Sequence, residues 1–179
     1  MMTEHTGEGS QNNHKCSLPV KVYEIMKTNN SNKCRLHIMI TLAIMIFIFI
    51  QSALPGHVSG AESGFFVSML HELTHVDFDV LSLIVRKTAH FAEYMILGIS
   101  LAVNVMDWRK SKEADLSALA LCRAAWLIGT IYAVTDEIHQ YFVPERACAV
   151  TDMLIDSAGV VVGVGIMMLI AYNKCVTTK

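Results

Sequence analysis

Long apolar blocks alternate with shorter polar ones along the chain, and four of the apolar blocks are long. The first, 36–54 (LHIMITLAIMIFIFIQSAL), carries no formal charge and is followed by Pro55-Gly56. The other three are 88–106, 116–135 and 150–172. A bilayer-spanning helix needs about 20 mainly apolar residues, and Pro-Gly is typical of a turn. The pattern predicts an all-α fold, a small polytopic membrane protein with four transmembrane helices in one membrane domain, 36–172.

Three of the segments outside these predicted helices have a distinctive composition. Residues 1–35 are rich in Asn, Thr, Ser and Lys without an apolar period, which predicts a disordered tail, and 173–179 form a second short tail. Residues 55–85 mix apolar residues with charges such as Glu72. This mixture indicates an amphipathic or re-entrant segment, and whether residues 65–84 span the membrane, dip into it or lie on it stays open.

Composition supports a membrane protein and argues against other classes. The 179 residues are 53% hydrophobic and only 17% charged, with a mean hydropathy of +0.43, whereas soluble domains carry about 25% charged residues. The net charge of −2, without a basic stripe, argues against nucleic acid as a partner. The five cysteines include no CxxC pair, so neither a disulfide framework nor a zinc site is indicated. The predicted partner is the lipid bilayer.

The distribution of Lys and Arg predicts the orientation of the helices. If both termini are cytoplasmic, the inner segments hold Lys15, Lys21, Lys27, Lys33, Arg35, Arg109, Lys110, Lys112, Lys174 and Lys179. The outer segments then hold only Arg86, Lys87 and Arg146. Cytoplasmic loops of membrane proteins carry the excess of positive charge. We therefore expect a multi-pass protein of the cell membrane, with both termini inside and with 55–85 and 136–149 outside.

Ionisable residues recur at helical spacing near the predicted outer ends of the spans. Arg86, His90 and Glu93 are at i, i+4 and i+7 and therefore share one face of the second span. Asp152 and Asp156 share a face of the fourth span in the same way. Ionisable residues inside a membrane are functional candidates by default.

The face that carries Asp152 and Asp156 continues into Gly159 and Gly163. This GxxxG spacing predicts close approach of another helix. The end of the third span contributes further polar residues at the same depth. The candidate site is therefore one layer of residues at the outer ends of the spans, predicted to bind a ligand: Arg86, Lys87, His90, Glu93, Asp136, Glu137, His139, Gln140, Arg146, Asp152 and Asp156. Any single member also fits an interface anchor or a self-neutralising pair. The near balance of charge predicts pairing within the layer, with Arg86 beside carboxylates such as Glu93.

Three ordered stretches of the chain carry a family resemblance. RKTAHFAEYMILG (86–98), TDEIHQYFVPER (135–146) and DMLIDSAGVVVG (152–163) resemble the signature stretches of the VanZ-like membrane protein family, and QSALPGHVSGAESG (51–64) resembles its segment after the first helix. The likeness covers roughly 36–172, although the turn before Arg146 lacks the Gly expected there. It implies a four-helix integral membrane protein, mainly bacterial. The founding member of the family is associated with resistance to the glycopeptide antibiotic teicoplanin, and no catalytic activity is implied.

Two classes of function remain open at this point, and the sequence does not decide whether the protein is an enzyme. In the first, the layer binds an anionic envelope lipid, a peptidoglycan precursor or a lipophilic glycopeptide, with Arg86, Lys87 and Arg146 as an anion clamp. In the second, a divalent metal serves an enzyme acting on a lipid-linked phosphate, and the candidate catalytic residues are His90, Glu93, Asp136 and His139. No nucleophile with an adjacent base stands out, which favours binding.

A separate motif offers a third, weaker interpretation. His71-Glu72-Leu73-Thr74-His75 matches HExxH, which on a helix presents two zinc ligands and a general base. The motif lies in the loop between the first two spans, where the family resemblance is weakest. A zinc protease is therefore the less favoured alternative to an incidental pair of surface histidines.

Overall fold

The computed structural model describes residues 20–55, 64, 67–112, 116–144, 146 and 148–177. In these residues the protein is helical and contains no strand. The helices are α1 (Val20–Ala53), α2 (67–74), α3 (Phe78–Lys112), α4 (Ala118–Gln140) and α5 (Val150–Thr177). Four stretches are long and apolar enough to cross a membrane: Ser31–Ala53, Phe78–Lys112, Ala118–Gln140 and Val150–Asn173. The predicted all-α architecture with four candidate membrane-spanning helices is confirmed.

Several helices extend beyond the apolar blocks that predicted them. The helix α1 begins at Val20, within the segment expected to be a disordered tail, and α5 continues to Thr177, within the expected C-terminal tail. Propagating a formed helix costs far less than starting one, and Lys, Glu and Met are good helix formers. Hydropathy therefore located the apolar part of each helix and not its ends. The expected tail residues 1–19, 178 and 179 lie outside the described residues.

The segment between the first two spans, which we expected to be amphipathic or re-entrant, is divided at His75. The helix α2 ends at residue 74, and His75 follows with a positive φ of 54°, which α-helices do not adopt. Asp77 then caps α3, because its Oδ1 accepts hydrogen bonds from the backbone N–H groups of Asp79 (2.9 Å) and Val80 (3.4 Å). Residues 78–85 consequently belong to the second spanning helix.

The helices α3 and α5 pack with their backbones in contact. A Cβ added at Gly159 would lie 2.5 Å from the carbonyl oxygen of Phe91, and one at Gly163 would overlap the carbonyl oxygen of Met95. From the other side, a Cβ at Gly98 would overlap the backbone of α5. The close approach predicted from GxxxG is therefore confirmed, with Gly98 as a third position that the pattern did not reveal.

The core fills the space between this helix pair and its neighbours. Tyr94, Leu97 and Leu101 project from α3, Val160 from α5 and Ile48 from α1, and all five are buried. Large side chains on the opposite faces are exposed, as expected for helices whose outer surfaces face lipid instead of water.

A set of polar contacts joins α1 to α3 far from the predicted site. His37 Nδ1 lies 2.6 Å from Asp107 Oδ2, and the hydroxyls of Thr41 and Ser100 are 2.6 Å apart. Asn104 donates to the Thr41 hydroxyl as well. These contacts fix the register of α1 at the end of the bundle opposite to the candidate site.

Candidate functional site

Helix directions bring the polar residues to one end of the bundle. The helices α1 and α4 end where α3 and α5 begin, because consecutive spanning helices run antiparallel. We call this the polar end. The structure places all of the predicted site residues there, on three helices and on the loop between α4 and α5.

The loop residue Arg146 ties three parts of the polar end together. Its Nε donates to the Leu54 carbonyl oxygen (2.9 Å), and its Nη2 donates to the Gln51 carbonyl oxygen (3.1 Å), both at the end of α1. Its Nη1 donates to Gln140 Oε1 on α4 (3.2 Å). Arg146 therefore holds the loop against α1 and α4. This structural role was not part of the prediction, which assigned Arg146 only to an anion clamp.

A cavity of about 310 Å³ opens at the polar end. Its lining consists of Arg86, Lys87, His90, Gln140, Arg146, Ala149, Thr151 and Asp152. Six of these eight residues are predicted site residues, drawn from α3, α4, the loop and α5. Lys87 forms an ion pair with Asp152, which joins the third turn of α3 to the start of α5 across the cavity.

The cavity lining is rich in positive charge. Arg86, Lys87 and Arg146 face a single carboxylate, Asp152. Burial lowers the pKa of Arg146, and the nearby positive charge of Arg86 lowers that pKa too. The carboxylates of Asp136, Glu137 and Glu93 raise the same pKa and partly offset the effect of Arg86.

Arg86 has no partner of its own among the described residues. It is exposed on the cavity wall and makes neither a hydrogen bond nor an ion pair with any residue in the described ranges. The expected pairing of Arg86 with Glu93 is therefore absent, because Glu93 lies two turns further along α3 and faces α1. All the guanidinium donors of Arg86 are available to a ligand.

Behind the cavity lies a buried layer of carboxylates. Asp136 and Glu137 are each 2% exposed. Asp136 accepts hydrogen bonds from Ser52 Oγ (2.6 Å) and Gln140 Nε2 (3.2 Å), and Glu137 Oε2 accepts from the backbone N–H of Ala149 (3.1 Å). These two candidates thus join α4 to the end of α1 and the start of α5. Ser52 was missed by sequence reasoning, since an isolated serine in an apolar segment gives no signal.

Some buried polar atoms at the polar end have no hydrogen-bond partner in the described part of the chain. They include both carboxylate oxygens of Asp156, which is 1% exposed, together with Nε2 of His139 and the hydroxyl of Tyr94. The His139 ring stacks on Phe49 with centroids 4.5 Å apart. Nearly all buried polar groups in proteins are paired with protein or water, so these atoms stand out at the polar end.

Glu93 faces a different space from the other candidates. It lines an apolar groove of about 390 Å³ between α1 and α3, whose other lining residues are Ile40, Ala43, Ile44, Phe47, Ile48 and Ile96. Like Arg86, it has no hydrogen bond or ion pair with the residues that the structure describes. Glu93 therefore lies beside α1, although the seven-residue spacing leaves it only about 20° from Arg86 around the axis of α3.

The described residues offer no arrangement suited to a metal ion. Within the described ranges, no group of three or more His, Cys, Asp or Glu side chains is placed to coordinate one. In the HExxH segment, His71 Nδ1 lies 2.6 Å from the Val76 carbonyl oxygen, and His75 lies beyond the end of α2 with a positive φ. The helical geometry that a zinc protease requires is therefore absent.

Fold and site together define a multi-pass helical membrane protein whose polar residues meet at one end of a four-helix bundle. The family model of VanZ/LLP1 matches residues 37–171. The chain therefore belongs to the VanZ-like family, as its three motif stretches indicated. No curated protein and no solved structure matches the chain.

Proposed function

We propose that this VanZ-like protein binds an anionic group of a cell-envelope component, in the polar cavity, at the outer face of the cell membrane. The observation that carries the proposal is that Arg86, which has no partner among the described residues, lines the cavity together with Lys87, His90 and Arg146. Guanidinium groups bind carboxylates and phosphates through paired hydrogen bonds, which gives both strength and geometry.

The division of charge between cavity and interior supports an anion as the ligand. The carboxylates of Asp136, Glu137 and Asp156 are buried behind the wall, whereas the cations line the open space. An anion entering the cavity therefore meets positive groups first. The ion pair of Lys87 with Asp152 leaves Arg86 as the first group that an anion would engage.

Binding without turnover is the simplest activity that these residues support. The buried carboxylates Asp136 and Glu137 accept hydrogen bonds from protein donors. Envelope components with a suitable anionic group include phospholipids, peptidoglycan precursors and lipophilic glycopeptides of the teicoplanin type. Membership of the family favours this group of ligands, and the distribution of Lys and Arg between the two sides supports the outer position.

The proposal is tested with the purified full chain in detergent and the soluble probe glycerophosphoglycerol, a phosphodiester headgroup without acyl chains. Isothermal titration calorimetry should detect binding that weakens as salt concentration rises, because ions screen exposed charges. Arg86→Ala should reduce the affinity by about tenfold or more, since a hydrogen bond to a charged group contributes roughly 1.5–3 kcal/mol.

Arg123→Ala is the matched control. Arg123 is exposed on α4 and does not line the cavity. Its replacement removes the same charge from the protein and should leave the affinity for the probe unchanged. Equal affinities for wild type and Arg86→Ala would refute the proposal.

A cellular experiment addresses the family's association with teicoplanin. Expression of the wild-type chain in a sensitive bacterium should raise the teicoplanin concentration needed to stop growth, and Arg86→Ala should abolish the increase at equal protein level. An increase that persists in Arg86→Ala would place any resistance outside the polar cavity.

A further inference from the structure

The apolar groove between α1 and α3 lies next to the polar cavity along the same helix. Arg86, Lys87 and His90 of α3 line the cavity, and Glu93 and Ile96 of α3 line the groove. At a rise of 1.5 Å per residue, His90 and Ile96 are about 9 Å apart along α3. A molecule with a polar head and an extended tail could occupy both spaces at once.

The groove lies in a part of the bundle that crosses the membrane. Its lining residues belong to the candidate spans Ser31–Ala53 and Phe78–Lys112. Ile40, Phe47 and Ile96 are each about half exposed, at 45%, 54% and 50%, so the groove is open on its outer side. A hydrocarbon chain from the bilayer can therefore enter it sideways without crossing a polar barrier.

Glu93 distinguishes this groove from an ordinary lipid-facing surface. It is the one ionisable residue among the seven that line the groove, and it has no hydrogen-bond partner in the described ranges. A carboxylate next to hydrocarbon is unfavourable without a donor. A hydroxyl or amide group placed between the head and the tail of a ligand would supply that donor.

We propose that the groove binds one hydrocarbon chain of an anionic membrane lipid whose headgroup occupies the polar cavity, with Glu93 contacting a hydrogen-bond donor at the junction of head and chain. This inference rests on the proposed function and narrows its ligand to an amphiphile that enters from the bilayer. A second copy of the protein fits the groove less well, because docking a helix there would bury the Glu93 carboxylate against apolar side chains.

The test measures lipid retention by native mass spectrometry on the full chain in detergent, with 1-oleoyl-lysophosphatidylglycerol as the probe, because its free glycerol hydroxyl lies at the junction of head and chain. Ala43→Trp places a large side chain in the groove without touching the cavity. Its affinity for the lipid should fall by about tenfold, which corresponds to losing the burial of roughly two methylene groups. Ala158→Trp is the matched control, because Ala158 is exposed on α5, away from the groove.

Binding of glycerophosphoglycerol by Ala43→Trp reports separately on the headgroup cavity and on folding. Normal binding of this headgroup together with weakened binding of the lipid supports the inference. Normal binding of both probes by Ala43→Trp overturns the inference and leaves the proposed function standing. Unchanged binding of both probes by Arg86→Ala overturns the proposed function and the inference with it. Conversion of a dimer to a monomer by Ala43→Trp, with lipid retention unchanged, would identify the groove as an interface between copies and overturn the inference.

Discussion

Arg86 and Arg146 line the same cavity but have different surroundings. Arg146 donates three hydrogen bonds to α1 and α4, whereas Arg86 makes none to the described residues. An arginine whose donors bind the protein holds structure, and one whose donors are free can bind a ligand. The sequence could not separate these roles, because both residues carry the same charge at the same predicted depth.

Arg146→Ala should lower the free energy of unfolding by about 1.5–3 kcal/mol or more, because it removes hydrogen bonds from a charged donor to two carbonyl groups of α1. Arg86→Ala should change it by less than about 0.5 kcal/mol, as is usual for an exposed residue without partners. Thermal unfolding in detergent compares the two variants. Equal losses of stability would contradict the division of roles.

Asp156→Asn should preserve or raise the thermal stability of the protein, because neither oxygen of Asp156 receives a hydrogen bond from the described residues. The amide cannot ionise, and a negative charge at a buried site without donors is strongly unfavourable. The matched control is Asp136→Asn, which should be destabilising because Asp136 accepts from Ser52 and Gln140. A loss in Asp156→Asn as large as in Asp136→Asn would indicate a donor for Asp156.

At the scale of helices, the fold depends on the close packing of α3 against α5. The sequence predicted this contact correctly from Gly159 and Gly163, since small residues at four-residue spacing are a local signal. It did not predict the start of α3 at Phe78. The apolar block begins at Thr88, and the residues before it reveal a helix only through the capping Asp77.

Gly163→Ala should destabilise the protein by about 1–3 kcal/mol, since its Cβ would overlap the carbonyl oxygen of Met95 and force α3 and α5 apart. Gly165→Ala, two residues further along α5, has nothing within 4 Å of the added Cβ and should be neutral or slightly stabilising. Thermal unfolding of both variants in one detergent checks the prediction. Comparable melting temperatures would mean that α5 can shift without cost.

At the scale of the whole molecule, topology was the strongest guide to the candidate site. Alternating helix directions bring the second, third and fourth spans to one end, so residues 86–93, 136–140 and 152–156 were expected to meet. The remaining contacts depend on backbone positions that a sequence does not encode locally. The two carbonyl groups that bind Arg146 are available only because α1 ends at Ala53.

The proposed orientation, with both termini inside the cell, predicts which cysteine reacts from outside. Cys148 is exposed in the loop that precedes α5. With the other four cysteines replaced, a membrane-impermeant thiol reagent should label Cys148 in intact cells. A variant that retains only Cys175 should be labelled only after the membrane is opened. The reverse pattern would place the polar cavity on the cytoplasmic side.

The unequal lengths of the spanning helices make bilayer thickness a variable for this protein. The helix α3 has 35 residues, about 52 Å, whereas α4 has 23 residues, about 34 Å, and its last turns hold Asp136, Glu137 and Gln140. The apolar part of α4 thus barely matches a hydrocarbon layer about 30 Å thick. In a thicker bilayer these polar residues of α4 would lie within the hydrocarbon layer, whereas α3 is long enough to span it. A mismatch between the apolar length of α4 and the thickness of the bilayer would therefore displace the end of α4 that lines the cavity.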